Sequence, residues 1–213
     1  MKKLAIIGGK GGIKKTTLAR LLTVTISSIK KTSLNLDIDQ GQSSYWRWTQ
    51  RRAKAGLPPI EVFNVTTIRE LRDTLSAGKK DFAVIDGAAY RAADTQEIAE
   101  MVDLTIIPTS FSTDDVESAA RLAKSLVDNG IPAKRIAIAF FGVLYSPSDY
   151  EEVNSYFSSK GYYVVPGYVE HKLSYQQCQN FGRALNEVQF PGLAGTANRF
   201  AHNLLDYARS LNG

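Results

Sequence analysis

The sequence predicts a three-layer α/β fold in which a mostly parallel, twisted sheet is flanked by helices on both faces. Three observations predict it. Short apolar segments recur along the 213 residues, each is followed by a longer segment with helical spacing of its apolar residues, and the two kinds alternate throughout. Such an order implies right-handed crossovers between parallel strands. With 44% hydrophobic and 22% charged residues the composition is that of a globular chain. No repeat, low-complexity tract or linker divides it, so residues 1–213 read as one domain.

The elements follow in chain order. Leu4 to Ile7 is an apolar run that breaks into glycine, and Lys15 to Ser28 carries helical periodicity. Thr32 to Asp37 reads as the second strand and Ser43 to Ala55 as the second helix, closed by the loop "GLPP" at 56–59. Ile60 to Phe63 is a third strand, and Ile68 to Ser76 a helix opened by Thr67 and Glu70 in capping-box spacing. Phe82 to Asp86 and Leu104 to Pro108 are apolar strands on either side of a helix from Thr95 to Met101. A helix from Asp114 to Asn129 leads to the strand Ile136 to Val143, and Ser148 with Glu151 suggests a second capping box for a helix from Asp149 to Ser159. Tyr162 to Val165 is the last strand; "FPGLAG" at 190–195 reads as a loop before a terminal helix from about Thr196 to Leu211.

Bulk properties exclude some classes. The single cysteine, Cys178, permits no intrachain disulfide framework and no cysteine metal cluster, which suits a reducing interior and reads as a half-buried small side chain. The apolar part of "MKKLAII" is too short for a secretion signal or a membrane span, so the expected location is cytoplasmic. His171 and His202 lack metal-ligand spacing. A net charge of +5 is compatible with a polyanionic partner.

The chemistry-bearing stretch is "GGKGGIKKTT", Gly8 to Thr17, between the first strand and the first helix. Ligands of a parallel α/β sheet bind beyond the carboxyl ends of the strands, and the first strand-to-helix turn is the usual phosphate site. Backbone N–H groups of a glycine-rich loop form an anion nest, and the following helix adds the positive end of its dipole. Glycines at 8, 9, 11 and 12 let the backbone wrap a phosphate, Lys15 can reach the outer phosphates, and Thr16 can hold a magnesium ion.

"KGGIKKTT" resembles the deviant Walker A box of the ParA/MinD ATPases, whose extra early lysine matches Lys10. The resemblance implies the P-loop NTPase fold, with ATP and Mg²⁺ as cofactors and Gly9, Lys10, Gly11, Gly12, Ile13, Lys14, Lys15, Thr16 and Thr17 around the nucleotide. It also implies that Lys15 serves its own nucleotide while Lys10 crosses an ATP-sandwich dimer to the partner's phosphates, as an arginine finger does. Lys14 departs from the pattern, which has glycine there. A side chain at that point crowds the loop or forces a strained backbone angle, and it bears on the hydrolysis rate.

Other segments extend the match. "LNLDIDQGQSS" (34–44) is similar to the family's Asp-x-Asp-Pro-Gln segment, with Gln40 in place of proline; the resemblance implies that Asp39 positions the attacking water and Asp37 supports the metal shell. "DFAVIDGAA" (81–89) resembles a Walker B strand in which Asp86 holds magnesium through water. Two acidic residues at a strand end are also common helix caps. "DLTIIPTSFSTDD" (103–115) is similar to the strand and loop that pass near the family's dimer interface, and reads equally as a capped helix start.

"VEHKLSYQQCQNFGRALNE" (169–187) resembles the late segment that in ParA proteins supplies basic residues to DNA, which places Lys172 and Arg183 as DNA-binding. Arg47, Arg51, Arg52, Lys54, Arg121 and Lys124 are further candidates, or solvated helix faces. Trp46 and Trp48 suit core or dimer contacts better than base stacking. The tail from Asn198 has too few cations for a membrane-targeting helix.

The implied function is a ParA-like segregation ATPase: a homodimer formed on ATP, bound to DNA without sequence preference at the nucleoid, with slow hydrolysis stimulated by a ParB-like partner. Two alternatives stand beside it. One is a hydrolysis-impaired, nucleotide-gated DNA-binding scaffold; the other is a metabolic P-loop ligase of dethiobiotin synthetase type.

Overall fold

The computed structural model describes residues 1–8, 14–38, 44–87, 92–144 and 146–211. The first half of the chain alternates β1 (Lys2–Ile6), α1 (Lys15–Ser28), β2 (Ser33–Asp37), α2 (Ser44–Lys54), β3 (Phe63–Asn64), α3 (Ile68–Ala77), β4 (Phe82–Asp86) and α4 (Ala92–Met101). The second half holds β5 (Leu104–Thr109), α5 (Thr113–Asp128), β6 (Ile136–Val143), α6 (Pro147–Ser158), β7 (Tyr163–Val164), β8 (Val169–Glu170), α7 (Leu173–Asn180) and α8 (Pro191–Ser210). The strands lie in the order β3-β2-β4-β1-β5-β6-β7, with β8 pairing the far end of β6, and every pairing among the described residues is parallel. The mostly parallel α/β sheet expected from the sequence is therefore the one observed.

The pleat sorts the strand side chains between two faces. Leu4, Ile6, Val84, Leu104 and Ile106 face α1 and α8 in one cluster with Leu18, Leu22, Phe200 and Leu204. Ala5, Ile7, Leu36, Ala83 and Ile85 turn the other way, onto Leu71 and Leu75 of α3 and Ile98 of α4. Ile107, Ile138 and Phe140 extend that opposite face beneath Ala123 and Leu126 of α5 and Phe157 of α6. Strands buried on both faces explain why their sequences read as continuous apolar runs.

Local chemistry modifies four of the expected elements. The third strand shrinks to Phe63–Asn64, because the Asn35 side-chain amide donates to the Glu61 carbonyl at 2.9 Å where a ladder bond would have formed. Thr67 caps α3 by accepting from the Glu70 N–H at 3.1 Å, but the Glu70 carboxylate reaches one residue further back, accepting from Thr66 N–H and hydroxyl. The Ser148–Glu151 box does not form: Pro147 starts α6 one residue after Ser146, since its fixed φ and missing N–H suit the first helical position. Pro191 does the same for α8, so "FPGLAG" is mostly helix rather than loop, anchored by packing of Leu193 and Ala194 on the core.

Helix α7 has no counterpart among the expected elements. Its buried residues, Tyr175 and Cys178, give a thin apolar stripe, and Gly182 just beyond its end turns the chain at φ 74°. A side chain at Gly182 would stand 2.2 Å from the Arg52 backbone nitrogen, so only glycine lets α7 end flush against α2.

Candidate functional site

The parallel register sets two carboxylates side by side at the carboxyl edge of the sheet. Asp37 ends β2, Asp86 ends β4, and they are direct partners in that ladder, while Ile6 of β1 pairs with Asp86 on its other side. Gly87 lets β4 close against β1: its N–H donates to the Ile6 carbonyl at 2.9 Å, and a Cβ there would meet that oxygen at 2.5 Å. The first turn of α1 approaches the same edge and brings Lys15 and Thr16 to the pair.

Both carboxylates are buried. Neither Asp86 oxygen has a hydrogen bond of normal geometry among the described residues. Burial pushes the Asp86 carboxyl up to about 7, and the charge of Asp37 adds to the rise. The nearby Thr16 hydroxyl, Arg20 and Lys15 pull in the opposite direction. A buried carboxylate left so exposed to its neighbour's charge, with a hydroxyl beside it, is an oxygen-donor set suited to a hard divalent cation.

Arg20 underlies this site and was not singled out from the sequence. Its guanidinium, buried on α1, donates to the Ser44 carbonyl at 2.6 Å and to Gln179 Oε1 at 3.0 Å, and stacks 5.7 Å from the Trp48 ring. The Ser44 hydroxyl in turn donates to Thr16 Oγ1 at 3.2 Å. Arg20 thus ties α1, α2 and α7 together beneath the carboxylates, and desolvation lowers it to about 10, with the charge of Arg51 acting in the same sense. The available signal was a single charge in the otherwise uncharged run from Thr16 to Ile29.

Of the residues expected at the nucleotide, Lys14, Lys15, Thr16 and Thr17 lie at the start of α1. Gly9, Lys10, Gly11, Gly12, Ile13 and Asp39 lie outside the described residues. Lys14 adopts φ 60° and ψ 25°, the left-handed region, at the position before the helix. The strained backbone expected from a side chain at this point is present.

The residues expected to bind DNA are separated. Lys172 precedes α7 and pairs with Glu170 at 2.7 Å, whereas Arg183 follows the helix, about 12 Å along by its eight residues. Arg52 is corrected: it is 3% exposed and forms a two-pronged ion pair with Glu187 at 2.6 and 2.9 Å, also donating to Pro58 and Gly182 carbonyls. Its charge is used inside the protein. Arg121 and Lys124 pair along α5 with Glu117 and Asp128. Trp48 is buried and donates to the Arg183 carbonyl, while Trp46 is 43% exposed. Cys178, expected to be half-buried, is buried, with its thiol pushed up to about 11 by desolvation. The described residues contain no cluster of metal-binding His, Cys, Asp and Glu side chains, and no helix long and apolar enough to cross a membrane.

No protein-family model and no curated protein sequence matches the chain. Solved structures do. A chain of the MinC:MinD cell division protein complex of Aquifex aeolicus superposes with a TM-score of 0.75 at 14% identity, covering 97% of this chain and 96% of that one. A protein described as a plasmid partition protein of Borrelia burgdorferi, bound to AMPPNP, gives 0.72 at 14% identity over 96% and 98%. McdA of Cyanothece, in complex with ATP, gives 0.70 at 17% identity over 100% and 98%. At these identities the likeness establishes the fold, and the chain has the mostly parallel α/β fold of the MinD, McdA and plasmid partition protein structures.

Proposed function

We propose that the protein is a ParA-like ATPase that binds ATP and magnesium at the carboxyl edge of β1, β2 and β4, and works as a nucleotide-gated positioning protein. The observation that carries this reading is the buried Asp86 carboxylate, which makes no hydrogen bond of normal geometry among the described residues and lies beside Asp37 and the Thr16 hydroxyl at the start of α1. The glycine-rich sequence that precedes this helix, and the ATP and AMPPNP bound by two structural neighbours, point the same way.

Each residue then has a task. Thr16 and Asp86 would hold the metal, with Asp37 supporting its shell. Magnesium, when bound, neutralises charge that develops on the outer phosphates. Lys15 binds the same phosphates through its ammonium, and the dipole of α1 favours their charge. Asp39 orients a water for attack, and Lys10 reaches the nucleotide of a second subunit in an ATP-dependent homodimer. Lys172 and Arg183 bind DNA backbone without reading sequence, and a ParB-like protein stimulates hydrolysis and release at the nucleoid.

Co-sedimentation with nonspecific DNA across a salt series tests this reading. ATP should give retention that falls steeply with salt, and ADP should not; equal retention with both nucleotides counts against it.

The hydrolysis-impaired scaffold has one specific observation in its favour, the left-handed Lys14 at the entrance to α1. Steady-state turnover with DNA and partner present, compared between wild type and Lys14→Gly, separates the two: a large gain in the variant favours the scaffold.

A further inference from the structure

The sheet order divides the carboxyl edge into two sides. Asp37 and Asp86 lie on β2 and β4, to one side of β1; β5, β6 and β8 lie to the other. Lys14 goes to the second side. Its stem runs across Gly142 of β6: Cγ, Cε and Cδ lie 3.0, 3.7 and 3.9 Å from where a Cβ on that glycine would stand. Gly142 is itself left-handed at φ 73°, so a bare turn in β6 provides the trough in which the lysine rests.

Around it is a narrow cleft of about 60 Å³, lined by Thr17, Gly142, Glu170, His171, Lys172 and Gln176 among others. Glu170, the one carboxylate of that lining, is already paired with Lys172. The Lys14 ammonium has no ion-pair partner among the described residues. Lys14 thus takes a left-handed backbone before α1 and lays its exposed side chain along this cleft, with no ion pair among the described residues.

We infer that Lys14 is the cation for the nucleoside-proximal phosphate, a binding residue for the inner half of the nucleotide rather than for its transferred end. The inference rests on the nucleotide reading above. On this reading the outer phosphates lie at Thr16 and Asp86, and the nucleoside runs past Thr17 into the cleft that Thr17 shares with Lys14, Gly142 of β6 and Glu170 of β8. Lys14 meets the phosphate nearest the sugar, which AMP, ADP and ATP share. Its contribution is therefore common to all three, whereas a cation on the outermost phosphate would discriminate among them.

Calorimetry of AMP, ADP and AMPPNP binding, with magnesium, to wild type, Lys14→Met and Lys14→Arg provides the test. Lys14→Met keeps the stem on Gly142 and removes the charge; it should weaken all three ligands by a similar factor, about tenfold. Lys14→Arg should restore most of the affinity, and circular dichroism should show both variants folded. A loss confined to AMPPNP, or no loss in Lys14→Met, overturns the inference while leaving the nucleotide site standing. Wild type that binds none of the three ligands overturns the nucleotide reading and this inference with it.

Discussion

Asp37 and Asp86 occupy partner positions in the β2–β4 ladder, both buried, so the charge of Asp37 adds to the cost of ionising Asp86. The consequence is a specific dependence of stability on pH. Burial and Asp37 lift the Asp86 carboxyl from 3.8 to about 7 in the folded state. Between those values the folded chain holds a proton that the unfolded chain has released. The stabilisation is complete below about pH 4 and is lost as the pH rises through 7. The difference is on the order of 4 kcal/mol. Urea unfolding in EDTA from pH 4 to 8 should show this decline in wild type and not in Asp86→Asn; parallel curves would contradict it.

Relief of backbone strain should be visible at Lys14. Lys14→Gly removes a left-handed penalty of about 1–2 kcal/mol but adds flexibility to the unfolded chain. A net gain of up to about 1 kcal/mol is expected from chemical denaturation. Gly142→Ala should go the other way, since its Cβ would press on the Lys14 stem at φ 73°. Destabilisation by Lys14→Gly would show that the side chain holds the turn instead of straining it.

Gly182 should be intolerant. A Cβ 2.2 Å from the Arg52 nitrogen, on a residue at φ 74°, forces α7 away from α2. Gly182→Ala is expected to cost about 3 kcal/mol or more, measured by thermal and urea unfolding. A loss under about 1 kcal/mol would mean that α7 shifts freely.

Arg52 and Arg47 separate charge used inside from charge available outside. Arg52→Ala leaves the partly buried Glu187 without its ion-pair partner, with only the Ala184 N–H among the described residues still donating to it, and should destabilise by about 3 kcal/mol. Arg47→Ala, on the surface of the same helix, should change stability by less than about 0.5 kcal/mol. Similar losses at both positions would refute the internal role of Arg52.

The layered fold was legible in the sequence because its signals are local. "LAII", "FAVID" and "LTIIP" are continuous apolar runs, as strands covered on both faces must be, and their spacing from the amphipathic runs of α1, α3 and α5 gives the topology. Lys15, Thr16 and Asp86 were singled out in the sequence by the residue types that phosphate and metal binding would call for, and the fold brings these three to one strand edge. What escaped depended on partners distant in the chain. Arg52 looked like any surface arginine until Glu187, 135 residues away, reached it. Helix α7 has only a thin apolar stripe and depends on Gly182 fitting the α2 backbone. Pro191 stood before two glycines, and local propensity favoured a loop there until packing of Leu193 and Ala194 decided for helix.

The most direct measurement is calorimetric titration of ATP with magnesium into wild type, Lys15→Ala and Asp86→Asn. Saturable binding in wild type, absent in Lys15→Ala and insensitive to magnesium in Asp86→Asn, is the predicted result. Wild type that takes up no ATP, or the same affinity and magnesium dependence in all three proteins, would contradict the claim that this strand edge is a metal-assisted triphosphate site.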